Sequence, residues 1–120
     1  MAHDGKGSCP LRTEADIVMS RQVVRGLTQQ LKFSLVDQTK MITAASELSR
    51  NTVVYGGGGE MAWEILDTGA KTGLLLKFSD KGPGIPDMGL GLSGSKRLVH
   101  EFDIQSAVGE GTCVSITRWK

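Results

Sequence analysis

Glu47 and Asn51 stand four residues apart, and three glycine-bearing stretches follow them: Asp80-Lys81-Gly82-Pro83-Gly84, Gly89-Leu90-Gly91-Leu92 and Gly109-Glu110-Gly111-Thr112. On a helix, a separation of four stacks two side chains on one flank, where they can converge on one bound group. The Asn51 amide oxygen is a neutral, hard donor suited to magnesium, which takes few protein ligands and otherwise binds water and substrate phosphates. Glu47 can accept a proton from water, or from a serine or threonine hydroxyl as it attacks a terminal phosphate. The same spacing also occurs in ordinary helix-surface pairs.

The carboxylate of Asp80 can accept a hydrogen bond from the exocyclic amine of adenine, a donor that guanine lacks at that position. Gly82 and Gly84 allow close backbone approach, and Pro83 stiffens the loop. A plain connecting turn uses the same residue types. Gly89, Leu90, Gly91 and Leu92 precede a predicted helix, whose free amides and dipole favour phosphate. Thr112 can hold a water jointly with Asp80 against the base; a strand-facing threonine after a glycine turn is the simpler alternative. In order, the stretches read as a magnesium–nucleotide site.

These groups need elements to carry them. A short edge strand is predicted over residues 9–12, and Thr13 with Asp16 resembles a capping box that opens a helix running to about Leu31. Ile17, Val24, Leu27 and Leu31 form its buried stripe, while Arg21, Arg25 and Gln29 face water. A second helix, from Val36 or Asp37 to about Tyr55, carries Met41, Ala45, Leu48, Thr52 and Tyr55 inward and ends at residues 56–59, where glycine accepts a left-handed cap. Residues 61–66 and 74–79 read as a hairpin whose second strand is central and ends at Asp80. Leu98, Val99 and Phe102 predict a third helix over 93–102. A closing hairpin spans 103–108 and 112–119, with Val114 and Ile116 inward. The expected fold is α+β: a two-layer sandwich with a mixed or antiparallel sheet and helices on one face.

With 120 residues, the chain fits one domain over residues 9–120 after a disordered or extended N-terminus at 1–8. Fourteen Lys plus Arg balance thirteen Asp plus Glu, with no long basic block to track a nucleic acid backbone. No apolar run is long enough for a signal core or a membrane span, so a cytoplasmic protein with no membrane partner is expected. Cys9 and Cys113 lack metal or redox spacing and read as small buried thiols.

The combination of Ser46-Glu47-Leu48-Ser49-Arg50-Asn51, Asp80-Lys81-Gly82-Pro83-Gly84-Ile85-Pro86-Asp87, Lys96-Arg97-Leu98-Val99-His100-Glu101-Phe102 and Gly109-Glu110-Gly111-Thr112 resembles the GHKL, or Bergerat, ATP-binding fold. That fold is shared by DNA gyrase, the Hsp90 chaperone, histidine kinases and bacterial anti-sigma-factor kinases. Within it, the chain looks most like the switch serine/threonine kinases of the stressosome, the RsbT type, over about residues 11–119. The resemblance implies ATP and Mg2+ as cofactors. It makes Glu47 the general base, Asn51 the magnesium ligand and Asp80 the adenine contact, and puts Gly82 and Gly84 on the adenine side. Gly89 and Gly91 fall on the phosphate side, and Thr112 at the adenine water. It also implies phosphorylation of a small antagonist of the sulphate-transporter/anti-sigma-antagonist (STAS) type, and binding to that partner or to a downstream phosphatase or sigma factor.

One departure stands out. The resembling kinases place a mobile lid of more than a dozen residues before the second glycine motif, whereas here only Pro86-Asp87-Met88 separates the stretch ending at Ile85 from Gly89. Three residues reach about 10 Å, enough to connect but not to cover a triphosphate. Either the chain has no lid, or residues are absent between Asp87 and Gly89. Two functions compete: a partner-switching kinase, favoured by Glu47, and a lid-deficient, non-catalytic module that holds a sigma factor or signalling partner. The catalytic half of a histidine kinase fits less well, since no phospho-accepting helix pair precedes the domain.

Overall fold

The computed structural model describes residues 5–54, 56–82, 97–107 and 111–120. Strand β1 (Lys6–Leu11) runs into helix α1 (Glu14–Gln30) across a complete capping box. The Thr13 hydroxyl accepts from the Asp16 amide at 3.2 Å, and the Asp16 carboxylate accepts from the Thr13 amide at 3.2 Å and the Arg12 amide at 2.9 Å. These bonds satisfy donors that a helix start leaves open. β1 begins three residues before the expected position 9 and ends at Leu11, because its register continues outward to Lys6 opposite Glu64.

Helix α1 closes in a Schellman turn. The Phe33 amide reaches back to the Thr28 carbonyl and the Lys32 amide to that of Gln29, both at 3.0 Å, with Lys32 in the left-handed region at φ 59°. Ser34 then starts helix α2 (Leu35–Val54): its hydroxyl accepts from the Asp37 amide at 3.1 Å and its carbonyl from the Gln38 amide at 2.8 Å. The stripe predicted for α2 faces inward, with Met41, Ala45, Leu48 and Thr52 buried; Tyr55 lies outside the described residues.

Strands β2 (Gly59–Asp67), β3 (Thr72–Asp80), β4 (Glu101–Ala107) and β5 (Gly111–Trp119) complete a five-stranded sheet of order β1-β2-β3-β5-β4. Every pairing is antiparallel, and β3 is central. Residues directly opposite share a face. Met61 opposite Phe78, Phe78 opposite Val114 and Leu76 opposite Ile116 therefore form one apolar layer, which packs with Val24, Leu27, Met41 and Leu48 of the helices. The result is the expected α+β sandwich with an antiparallel sheet.

Two expectations change. Of the third helix predicted over 93–102, residues 93–96 lie outside the described residues and Arg97 is helical, but residues 98–100 are a turn and bends and Phe102 lies in β4 opposite Ile116. Cys9 and Cys113 are half-buried rather than buried, and both are free. They sit on β1 and β5, three strand spacings apart, roughly 14 Å, beyond the reach of a disulfide.

Among the described residues no helix is long and apolar enough to cross a membrane.

Candidate functional site

Helix α2 and the ends of β3 and β5 meet around Asp80. Asp80 is the last residue of β3 and lies directly opposite Thr112, the second residue of β5. The pair continues the face of Phe78 and Val114, so both side chains point toward the helical layer. Thr112 is buried and Asp80 half-buried.

An Asx turn fixes the Asp80 carboxylate: its Oδ1 accepts from the Gly82 amide at 2.9 Å. Its Cγ and Oδ2 lie against the α-carbon of Gly56. Gly56 in turn donates its amide to the Asn51 carbonyl at 3.1 Å, closing the last turn of α2. One van der Waals contact and one hydrogen bond thus connect Asp80 to the backbone of Asn51. Glu47, a turn earlier on the same flank, is exposed, and Asn51 is partly exposed between the buried Leu48 and Thr52.

The room that Gly82 leaves is taken up by the protein's own backbone, for an added Cβ there would stand 2.5 Å from the Gly56 carbonyl oxygen. At Gly111, φ is +96° and an added Cβ would stand 2.1 Å from the Asp80 carbonyl oxygen, so the close β3–β5 approach demands glycine twice over. Gly84, Gly89, Leu90, Gly91 and Leu92 lie outside the described residues.

A cleft opens beside Asp80, lined by Arg12, Gly57, Gly58, Glu60, Ser79 and Lys81 among others. Sequence reasoning gives no role to Arg12, Glu60 or Lys81: the first two stand in no motif, Lys81 is an unassigned position within Asp80-Lys81-Gly82, and they meet because β1, β2 and β3 have ends at one edge of the fold. By sequence, Gly56 reads as part of a helix cap alone.

For the metal, the fit rests on donor chemistry. Among the described residues no cluster of three or more His, Cys, Asp or Glu is arranged to hold an ion. A magnesium that takes most of its ligands from water and phosphate would need no such cluster, and the partly exposed Asn51 carries an amide oxygen of the hard-donor type such an ion takes.

The serine/threonine-protein kinase RsbT of Bacillus subtilis (strain 168) is 40% identical to this chain over 123 residues, covering 91% of this chain and 92% of the relative. The chain belongs to the RsbT family. No family model matches it. The aligned stretch is longer than this whole 120-residue chain, so RsbT carries residues without a counterpart here. Residues 83–96, which include the connector Pro86-Asp87-Met88, lie outside the described residues.

Proposed function

We propose that the chain is an ATP-dependent serine/threonine protein kinase of a partner-switching stress pathway, built on the GHKL-type nucleotide fold, with a STAS-type antagonist as its substrate. The observation that carries this reading is the junction of Asp80, Thr112 and Gly56. It joins a carboxylate able to select adenine to the helix that bears Glu47 and Asn51. Membership of the RsbT family supports the same reaction class.

In this reading Asp80 accepts the adenine amine and Thr112 orders a water beside it. Asn51, with Glu47 nearby, would hold Mg2+, which neutralises phosphate charge when bound. Gly89 and Gly91, with Leu90 and Leu92, would lie along the phosphates. Glu47 would take the proton of the acceptor hydroxyl as its oxygen attacks the γ-phosphorus and the bond from that phosphorus to the bridging oxygen breaks, releasing ADP; its solvent exposure suits a base that must reach a second protein's side chain.

The test is phosphoryl transfer from ATP to a STAS-domain antagonist with magnesium, comparing the parent with Glu47→Gln. Transfer that drops by about two orders of magnitude or more supports the base, the scale general bases contribute. Unchanged transfer rejects it.

A second reading, a non-catalytic module that holds a sigma factor or signalling partner, is favoured by one observation: the connector before Gly89 is three residues long. A lid excludes water and completes a phosphoryl-transfer site. With so short a connector, ATP exchanges quickly and turnover is slow. Nucleotide binding without any transfer to the antagonist selects this second reading.

A further inference from the structure

The Asp80 side chain fills space that only a glycine at position 56 leaves open. A Cβ built on Gly56 would stand 2.4 Å from the Asp80 Cγ, 2.5 Å from Oδ2 and 2.7 Å from Cβ. Gly56 is not among the glycines with positive φ, unlike its neighbours Gly57 at 73° and Gly58 at 103°. Its φ lies outside the left-handed region, and the requirement for glycine seen here is one of space. The three nearest obstructing atoms all belong to Asp80: Cγ and Oδ2 can swing aside, but Cβ is fixed to β3, so a methyl group at position 56 displaces the carboxylate and shifts the backbone that carries it. The displacement takes Oδ1 away from the Gly82 amide, 2.9 Å distant, which sets the orientation of the carboxylate.

We propose that Gly56 is a positioning residue for base selection: it acts through Asp80, holding the carboxylate where Gly82 grips Oδ1 and Oδ2 is left to meet the exocyclic amine. This rests on the reading of Asp80 as the adenine contact. Gly82 supports the arrangement from the other side, since its own α-carbon packs on the Gly56 carbonyl.

The experiment compares Gly56→Ala with the parent by calorimetric titration of magnesium ATP and magnesium ITP, the latter bearing a carbonyl in place of the amine. Thermal melting is followed in both Asp80 and Asp80→Gly backgrounds. The parent prefers ATP, and Gly56→Ala reduces that preference by about tenfold, the loss of roughly one hydrogen bond. In the Asp80→Gly background the alanine at 56 costs less melting temperature than in the parent, because the obstructing atoms are gone. A preference retained by Gly56→Ala but lost in Asp80→Asn overturns the positioning role while leaving Asp80 as the base contact. No preference in the parent removes the reading of Asp80 itself, and the inference with it. If Gly56→Ala unfolds the chain equally in both backgrounds, the obstruction is not the carboxylate and the proposal fails.

Discussion

Arg118, on β5, donates to one oxygen of Asp37, in the first turn of α2, through both Nε, at 3.2 Å, and Nη2, while its Nη1 donates to the Leu98 carbonyl at 2.8 Å. One guanidinium thus joins the sheet, the start of the helix that bears Glu47 and Asn51, and the turn before β4. The hydrogen bonds from Arg118 hold the Asp37 carboxyl below its usual range, outweighing its partial desolvation.

A carboxyl whose folded pKa is depressed contributes stability that is present above its unfolded pKa and lost as pH falls through the folded value. Asp37→Asn therefore lowers the melting temperature at neutral pH, by a loss on the order of 1 kcal/mol or less for a pair still open to solvent. The gap between variant and parent closes as the pH drops below the ordinary carboxylate range. Melting curves from pH 7 to pH 3 check this; a gap that stays constant contradicts it.

Between the helices, the Ser20 hydroxyl donates to the Ile17 carbonyl at 2.7 Å and lies 2.9 Å from the Ser49 hydroxyl, both side chains fully buried. Since Ser20 has one proton and gives it to Ile17, Ser49 must be the donor between them. Ser20→Ala strands the buried Ser49 proton and costs about 1–3 kcal/mol, whereas Ser49→Ala leaves Ser20 satisfied and costs less. Denaturant titration of the two variants measures the order, and equal losses would show that Ser49 finds another acceptor.

Lys32 occupies the left-handed position of the turn after α1 at φ 59° without being glycine. Its side chain is exposed. Lys32→Gly relieves the steric cost of this conformation, against greater freedom in the unfolded chain, and raises stability by about 0.5–1 kcal/mol. A lower midpoint in urea would contradict this account of the turn.

Burial raises the Cys9 thiol pKa, with Asp16 and then Glu60 adding to the shift. Alkylation of Cys9 by iodoacetamide accelerates only above the pH at which an open thiol reacts, and Glu60→Gln moves that acceleration to lower pH. Mass-resolved alkylation rates against pH test both statements.

Where a feature was local, the sequence made it legible. Thr13 with Asp16 marks the start of α1, the apolar spacing of both helices gives their buried stripes, and the polar loop before Leu74 marks a hairpin. Phe102 misled because Leu98, Val99 and Phe102 fit a helix by spacing. Its strand state is decided by Ile116, a partner from β5, with Ile104 opposite Val114 extending the alternation. The Arg118–Asp37 pair joins residues 81 positions apart and leaves no local pattern. Gly56 was the least visible of all, because its contribution is the side chain it lacks.

In the proposed kinase Asp80 reads adenine at the junction of β3, β5 and α2. Asp80→Asn tests it most directly, since the amide oxygen can still accept from Gly82 while the negative charge that strengthens the bond to adenine is lost. Calorimetric titration with magnesium ATP should show affinity weakened by about 1–3 kcal/mol, the scale of a charge-assisted hydrogen bond. Equal affinity in parent and variant would contradict the account.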